Sequence, residues 1–240
     1  MIMEEMTSAE FTEGLKKTQT AILPLGSLEE HGRHLPLITD TLHMIRLARA
    51  AAEQVDVFVA PAIPYGLCRS TSQHPGTVSI GFDTVRIIVR DVGQSLYDQG
   101  IRRLIISSGH AGSSHLAAMV EAGEDLMKSC PDLTVAVLTV VDLLKDKVAG
   151  LVETPFDAHS GELETSIVMH LAPDLVKGDS LAEYPAFPAP ILVRNKTSYW
   201  PGGVWGDPGK GTPAKGKELF ERGVSALVDL VKKVNDFHEA

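Results

Sequence analysis

The chain alternates short apolar runs with longer segments in which apolar residues recur every three or four positions, the spacing of a helix. The apolar runs lie at residues 20–25, 57–60, 104–106 and 133–141, and the helical segments lie at residues 41–55, 85–96, 116–126, 161–171 and 220–234. Strands that alternate with helices form a mainly parallel sheet covered by helices on both faces. No internal repeat or long linker interrupts the pattern, so we predict a single α/β domain over residues 1–240.

Composition argues against several classes of protein. The chain has 240 residues and a formal net charge of −9, and it has no basic cluster to bind the phosphates of a nucleic acid. No apolar run reaches the roughly 18–20 residues of a membrane span. The two cysteines form no paired motif, which favours a reducing compartment. We therefore expect a cytoplasmic protein that binds a small molecule rather than a nucleic acid or a membrane.

Polar residues follow the first predicted strand, and they have the chemistry of metal ligands. In parallel sheets, ligands bind at the carboxyl ends of the strands. Glu29 and His31 are two residues apart, so in extended backbone their side chains leave the same face. Asp40 lies where the next helix is predicted to begin, and its two carboxylate oxygens could bridge two cations. Carboxylates and imidazoles together suit borderline divalent cations such as zinc, manganese or iron.

Two further polar clusters are predicted at the same edge of the sheet. His110 directly follows the strand at residues 104–106 and has small neighbours. His159 and Glu162 are three residues apart, so a helix beginning here presents both on one side. Glu164 is about 200° around that helix from Glu162, so only one of the two glutamates is expected to face the site. Two isolated cysteines favour carboxylate and imidazole ligands over thiolates.

At these clusters the sequence resembles the creatininase (creatinine amidohydrolase) family. The first family motif, LPxGSxEQHGxHLPxxTD, matches residues 23–40 almost position for position. Further matches lie at residues 65–66, 74–77, 108–113, 159–166 and 203–208. They occur in family order and extend over about residues 20–235. The resemblance implies a creatininase-like three-layer α/β/α fold and a homo-oligomer, a hexamer in this family.

The resemblance also implies two-metal hydrolysis of an unusual amide C–N bond. By position in the motifs, Glu29 and His110 would bind one cation, His31 the other, and Asp40 would bridge them. Creatininases carry a second-cation glutamate where this chain has Gly112, which has no donor side chain. We expect Glu162 to replace that ligand and to serve as a catalytic residue beside it.

The expected mechanism uses hydroxide held between the two cations, since a metal can lower the pKa of water from 15.7 to about 7. His159 is then the expected donor of a proton to the leaving nitrogen. Four further residues are expected to contact the substrate: His74, Ala111, Asp157 and Trp205.

The substrate stays open at this point. Creatinine itself is disfavoured, because serine replaces asparagine at Ser108 and Ser113, on either side of the motif histidine. Two other activities of the family fit the sequence at least as well: deformylation of a formylaminopyrimidine nucleotide and trimming of a ribosomally made cofactor precursor. A protein of another class, which binds a metal or ligand without catalysis, is the remaining alternative.

Overall fold

A sheet of four parallel strands forms the centre of the computed structural model, which describes residues 1–238. The strands are β1 (Thr20–Leu25), β2 (Phe58–Val59), β3 (Arg103–Ser108) and β4 (Thr134–Thr139), in the spatial order β2-β1-β3-β4. β1 and β3 are buried almost throughout, as expected for strands covered on both faces. The predicted parallel α/β sheet is confirmed, although β2 is shorter than the apolar run that contains it.

Within the described residues, seven α-helices pack on the two faces of the sheet. They are α1 (Ser8–Gly14), α2 (Thr39–Ala52), α3 (Phe82–Asp98), α4 (Ser113–Ser129), α5 (Val140–Leu144), α6 (Glu162–Leu171) and α7 (Pro213–Asn235). Apolar residues of α2, α5, α6 and α7 form one core with one side of the strands. Residues of α3 and α4 form a second core on the other side. The molecule therefore has the three layers predicted.

Side-chain caps fix where the first and last α-helices begin. The Thr7 hydroxyl accepts a hydrogen bond from the Glu10 backbone N–H, and the Glu10 carboxylate accepts one from the Thr7 backbone N–H. This reciprocal pair is a capping box. At the start of α7, the Thr212 hydroxyl accepts a hydrogen bond from the Lys215 backbone N–H, and Pro213 lies in the first turn.

The strands end in register, so the segments that follow them meet at one edge of the sheet. Leu25 pairs with Ser108, and Ser108 pairs with Thr139. α2 begins at Thr39, two residues earlier than predicted, which places Asp40 in its first turn. Between Val176 and Asp207 the chain forms turns and isolated bridges, including one between His159 and Trp205. None of the helices described over residues 1–238 combines the length and hydropathy needed to cross a membrane.

Candidate metal centre

Three side chains converge at the ends of β1 and β3 and form the first donor group: Glu29, Cys68 and His110. One ligand atom from each lies within 4.8 Å of the others. His110 Nδ1 is 2.8 Å from Glu29 Oε2 and 3.2 Å from Asp40 Oδ2. All four residues are buried. Glu29, His110 and Asp40 thus come together as the sequence predicts, with a thiol added to them.

Hydrogen bonds to the backbone orient the His110 ring. Its Nε2 lies 3.1 Å from the Leu67 carbonyl oxygen, to which an Nε2–H donates. The His110 backbone N–H donates to Ser108 Oγ at 3.0 Å. With the proton held at Nε2, the lone pair of the neutral ring is at Nδ1, which faces Glu29 and Asp40.

His31, His159 and Glu164 form the second donor group on the other side of Asp40. His31 Nε2 is 3.3 Å from Asp40 Oδ1 and 3.7 Å from Glu164 Oε2. The rings of His31 and His159 lie with their centroids 4.3 Å apart. Since Asp40 Oδ2 faces the first group and Oδ1 the second, its carboxylate lies between the two groups as a bridging ligand would.

A buried atom without a partner indicates that the second group fits a cation. His31 Nδ1 lies 3.1 Å from the Glu29 carbonyl oxygen, which it reaches as an N–H donor. His31 Nε2 is then left as the lone-pair nitrogen of the neutral ring, and it is buried with no hydrogen-bond partner among the described residues. Buried polar atoms rarely remain unpaired, and imidazole with carboxylates is a common donor set for divalent cations. The residues present therefore fit the metal that the motifs imply.

The charges of the centre depend strongly on one another. Burial lowers the pKa of His31, but Asp40, Glu164 and Glu29 outweigh it and raise that pKa to about 10. Burial acts against ionisation of Glu29 as well, yet His110 beside it brings its pKa down to about 2. Without cations, protons on the imidazoles balance the carboxylates. A bound cation takes the place of those protons, so metal binding releases them.

Small residues allow the two loops to approach closely. A Cβ atom on Gly109 would lie 2.0 Å from the backbone oxygen of Asp40, which no side chain can tolerate. Ser27 Oγ donates to Asp40 Oδ2 at 2.5 Å. Thr71 Oγ1 donates to Glu29 Oε1 from the opposite side. These contacts fix both carboxylates before any cation binds.

The structure does not bring Glu162 into either donor group, and this corrects our expectation for that residue. Its carboxylate is fully buried and points the other way. It accepts hydrogen bonds from Thr154 Oγ1 at 2.6 Å, from the backbone N–H groups of Thr154 and Glu153 at 2.8 and 3.0 Å, and from Lys215 Nζ at 2.6 Å. The helical rotation between the two glutamates turns Glu164 toward His31 instead.

A cavity of about 750 Å³ opens above the two donor groups. Three of the four residues expected at the substrate line it: Ala111, Asp157 and Trp205. His74 does not line the cavity, because its Nε2 pairs with the Trp200 carbonyl oxygen at 2.7 Å behind the cavity wall. Asp157 accepts hydrogen bonds from the first two backbone N–H groups of α6, and burial raises its pKa to about 6.

Sequence reasoning missed two members of the donor groups. Cys68 is an isolated cysteine in a Pro/Gly-rich loop, and no spacing to another ligand marks it. Glu164 had been considered beside Glu162, but the spacing alone could not say which of the two faces the site. Nothing in the sequence indicated that Glu162 pairs with Lys215, which is distant in the chain but contacts the Glu162 carboxylate in the fold.

Comparisons with known proteins show the family to which the chain belongs. The sequence model of the creatininase family, described as creatinine amidohydrolase, matches residues 4–231. The chain belongs to the creatininase family. It is 30% identical over 223 residues to a mycofactocin precursor peptide peptidase of Mycolicibacterium smegmatis (strain ATCC 700084 / mc(2)155), covering 88% of this chain and 84% of that protein.

Solved creatininase structures share the whole fold. A manganese creatininase superposes with a TM-score of 0.87 at 26% identity and covers 97% of both chains. A Zn–Zn form of a creatininase variant gives the same score, identity and coverage. The predicted family, fold and class of enzyme are thus confirmed: the chain is a creatininase-family hydrolase of C–N bonds.

Proposed function

We propose that this creatininase-family chain hydrolyses an amide bond with two divalent cations, one in each donor group. The observation that carries this proposal is the position of Asp40, whose two oxygens face His110 Nδ1 and His31 Nε2 from opposite sides. Glu29 and His110 would hold the first cation, and His31 with Glu164 the second. When bound, such cations polarise a carbonyl and lower the pKa of water, so that hydroxide is available near neutral pH. Zinc, manganese and iron all suit these donors.

His159 is placed to supply a proton to the leaving nitrogen. Its Nε2 lies 2.9 Å from the Glu30 carbonyl oxygen, which accepts that N–H, so Nδ1 is the nitrogen available to substrate. Burial opposes protonation, yet Glu30, Glu29 and Glu164 outweigh it and raise the pKa of His159. Transfer from Nδ1 lets the amine leave as a neutral group.

The amino end of α4 faces the same cavity and supports carbonyl activation. Gly112 precedes the helix, none of the side chains in residues 1–238 caps it, and Ala111 to Ser114 line the cavity. Unpaired backbone N–H groups at a helix start stabilise negative charge. Trp200 and Trp205 also line the cavity and add apolar ring surface to its wall.

The size of the cavity favours a substrate larger than creatinine. A volume of about 750 Å³ lies in the upper part of the range of about 300–1,000 Å³ that holds drug-sized ligands. Much of the wall is apolar and comes from residues 187–193. We therefore propose a peptide-like amide as the substrate, in keeping with the peptidase relative.

Two positively charged side chains at the cavity wall favour a nucleotide as the second candidate substrate. Arg69 and Lys196 line the cavity, and Arg69 donates to Ser114 Oγ at 2.8 Å. Such a pair recognises a carboxylate or a phosphate. A formylaminopyrimidine nucleotide would use it for its phosphate, and a peptide for its terminal carboxylate.

A substrate panel tests these proposals. The protein is purified without chelator, its metals are measured, and hydrolysis is followed on short free peptides, formamidopyrimidine nucleotides and creatinine. We expect wild type to bind two cations per chain and to hydrolyse peptides. Asp40→Asn should lose both the bound cations and the peptidase activity. The exposed Asp91→Asn is the matched control and should retain both. Two tightly bound cations without hydrolysis of any amide would instead favour a binding protein.

We also propose a homo-oligomer, a hexamer by family resemblance, in the cytoplasm. Leu181 and Tyr184 expose large apolar side chains on the irregular segment outside the cavity, and a neighbouring copy would bury them. Cys68 and Cys130 are buried and unpaired, as is usual in a reducing compartment. Light scattering at several protein concentrations tests the assembly.

A further inference from the structure

Cys68 is held against the first donor group by the backbone on both of its sides. The Cys68 N–H donates to Ser79 Oγ at 2.9 Å. The preceding Leu67 donates its N–H to His115 Nδ1 at 3.3 Å and accepts the His110 Nε2–H at 3.1 Å. The residue that orients the His110 ring is therefore bonded directly to Cys68. This arrangement fixes the position of the thiol relative to the imidazole.

The surroundings of the thiol are those of a ligand rather than of a core residue. Cys68 is 1% exposed, and its sulfur lies with ligand atoms of Glu29 and His110 inside 4.8 Å. A cation held between these groups would meet the sulfur as a thiolate, because a coordinating thiol loses its proton.

We propose that Cys68 binds, as a thiolate, the cation held by Glu29, Asp40 and His110, and that this position therefore prefers Zn²⁺ to Mn²⁺. The inference rests on the metal centre of the proposed function. On binding, the S–H bond breaks, its proton goes to solvent, and the sulfur lone pair forms the bond to the metal. Thiolates favour zinc, whereas carboxylates and water favour manganese. The sulfur thus makes the first position selective for thiophilic metals. The second position has only imidazole and carboxylate ligands.

Cobalt substitution tests the sulfur directly. Two equivalents of Co²⁺ are added to metal-free protein, and absorption spectra are recorded for wild type, Cys68→Ser, Cys68→Ala and Cys130→Ser. Wild type should show a near-ultraviolet sulfur-to-cobalt charge-transfer band together with visible cobalt bands. Both Cys68 variants should lose only the first. Cys130→Ser should keep both, since Cys130 is equally buried but its sulfur instead lies 3.3 Å from Gln94 Oε1.

Metal competition tests the proposed preference of the first position for Zn²⁺ over Mn²⁺. Metal-free protein is dialysed against equal Zn²⁺ and Mn²⁺, and the bound metals are counted. Outer partners of a ligand change metal affinity by about 10–100-fold, so loss of a direct ligand should lower the preference for zinc by at least about tenfold in Cys68→Ser.

The outcomes separate the two proposals. Wild type that binds two Co²⁺ ions without a charge-transfer band, or a band that persists in both Cys68 variants, overturns the inference and leaves the metal centre standing. A protein that binds no Co²⁺ overturns the metal centre, and the inference with it. Unchanged circular dichroism in Cys68→Ser and Cys68→Ala establishes that they are folded.

Discussion

Glu162 and Glu164 offer a matched pair of substitutions that distinguishes a structural carboxylate from a metal ligand. In Glu162→Gln, a neutral amide replaces the carboxylate that lies 2.6 Å from Lys215 Nζ. Breaking a buried ion pair by removing one partner costs about 3–5 kcal/mol. Lys215 keeps a second partner in Glu153 at 2.8 Å, so we expect the lower end, about 3 kcal/mol. For a chain of this length that lowers the Tm by about 6–12 °C.

Glu164→Gln should have the opposite effects: little loss of stability in the metal-free protein and weaker binding of the second cation. The Glu164 carboxylate accepts a hydrogen bond from the Ser160 backbone N–H, which the amide oxygen of glutamine can also accept. Loss of stability in the metal-free protein should therefore stay below about 1.5 kcal/mol, the net value of one ordinary hydrogen bond. The second cation loses an anionic ligand, and its affinity should fall by at least about tenfold.

Two measurements on the same preparations decide between these roles. Melting is recorded on metal-free protein, because a bound cation would itself stabilise the fold. Cation stoichiometry is then measured after dialysis against limiting Zn²⁺. We expect Glu162→Gln to melt early and bind two cations, and Glu164→Gln to melt normally and bind one. If Glu162→Gln instead melts normally and loses a cation, then the orientation assigned to α6 is wrong.

Three other predictions follow from the site. His159→Gln should keep both cations by elemental analysis and lower kcat by about 10²-fold or more, because only the proton donor is lost; loss of a cation would make His159 a ligand instead. Gly109→Ala should release metal, since its Cβ would meet the Asp40 backbone at 2.0 Å, and titration with Zn²⁺ would detect this. Burial lowers the pKa of His43 to about 4, so its stability contribution is present above its unfolded value near 6.5 and is lost as pH falls toward 4. Between pH 7 and pH 5, urea unfolding of wild type should therefore lose about 2 kcal/mol more than His43→Leu, and equal losses would refute this.

The fold could be predicted from sequence because its signals are local and repeated. Each strand and helix has its own period, and alternation of the two types leaves few arrangements of a sheet. The alignment of Leu25 with Ser108 then brings Glu29 and His110 together without further information. Asp40 comes to the same edge of the sheet, because it lies in the first turn of the helix that follows the loop after β1.

Glu164 and Cys68, the other members of the two donor groups, could not be predicted because their positions depend on distant contacts. Helical geometry separates Glu162 from Glu164 but does not say which one faces the sheet edge. That choice is made by Lys215 and Thr154, which bind the Glu162 carboxylate from α7 and from the loop before α6. Cys68 comes near His110 through the hydrogen bond to Leu67, and nothing near it in the sequence indicates that bond.

Gly112 explains why the missing carboxylate comes from a different element. A Cβ atom at this position would lie 2.6 Å from His110 Nε2, the atom that donates to Leu67. A side chain here would therefore move the imidazole, and with it the loop that carries Cys68. With this backbone the second donor group has to take its carboxylate from the far side of the cavity, where Glu164 already lies 3.7 Å from His31. The close fit of the loop around His110 thus accounts for the absence of a donor at Gly112, while the contacts of Glu162 with Lys215 and Thr154 leave Glu164 facing His31.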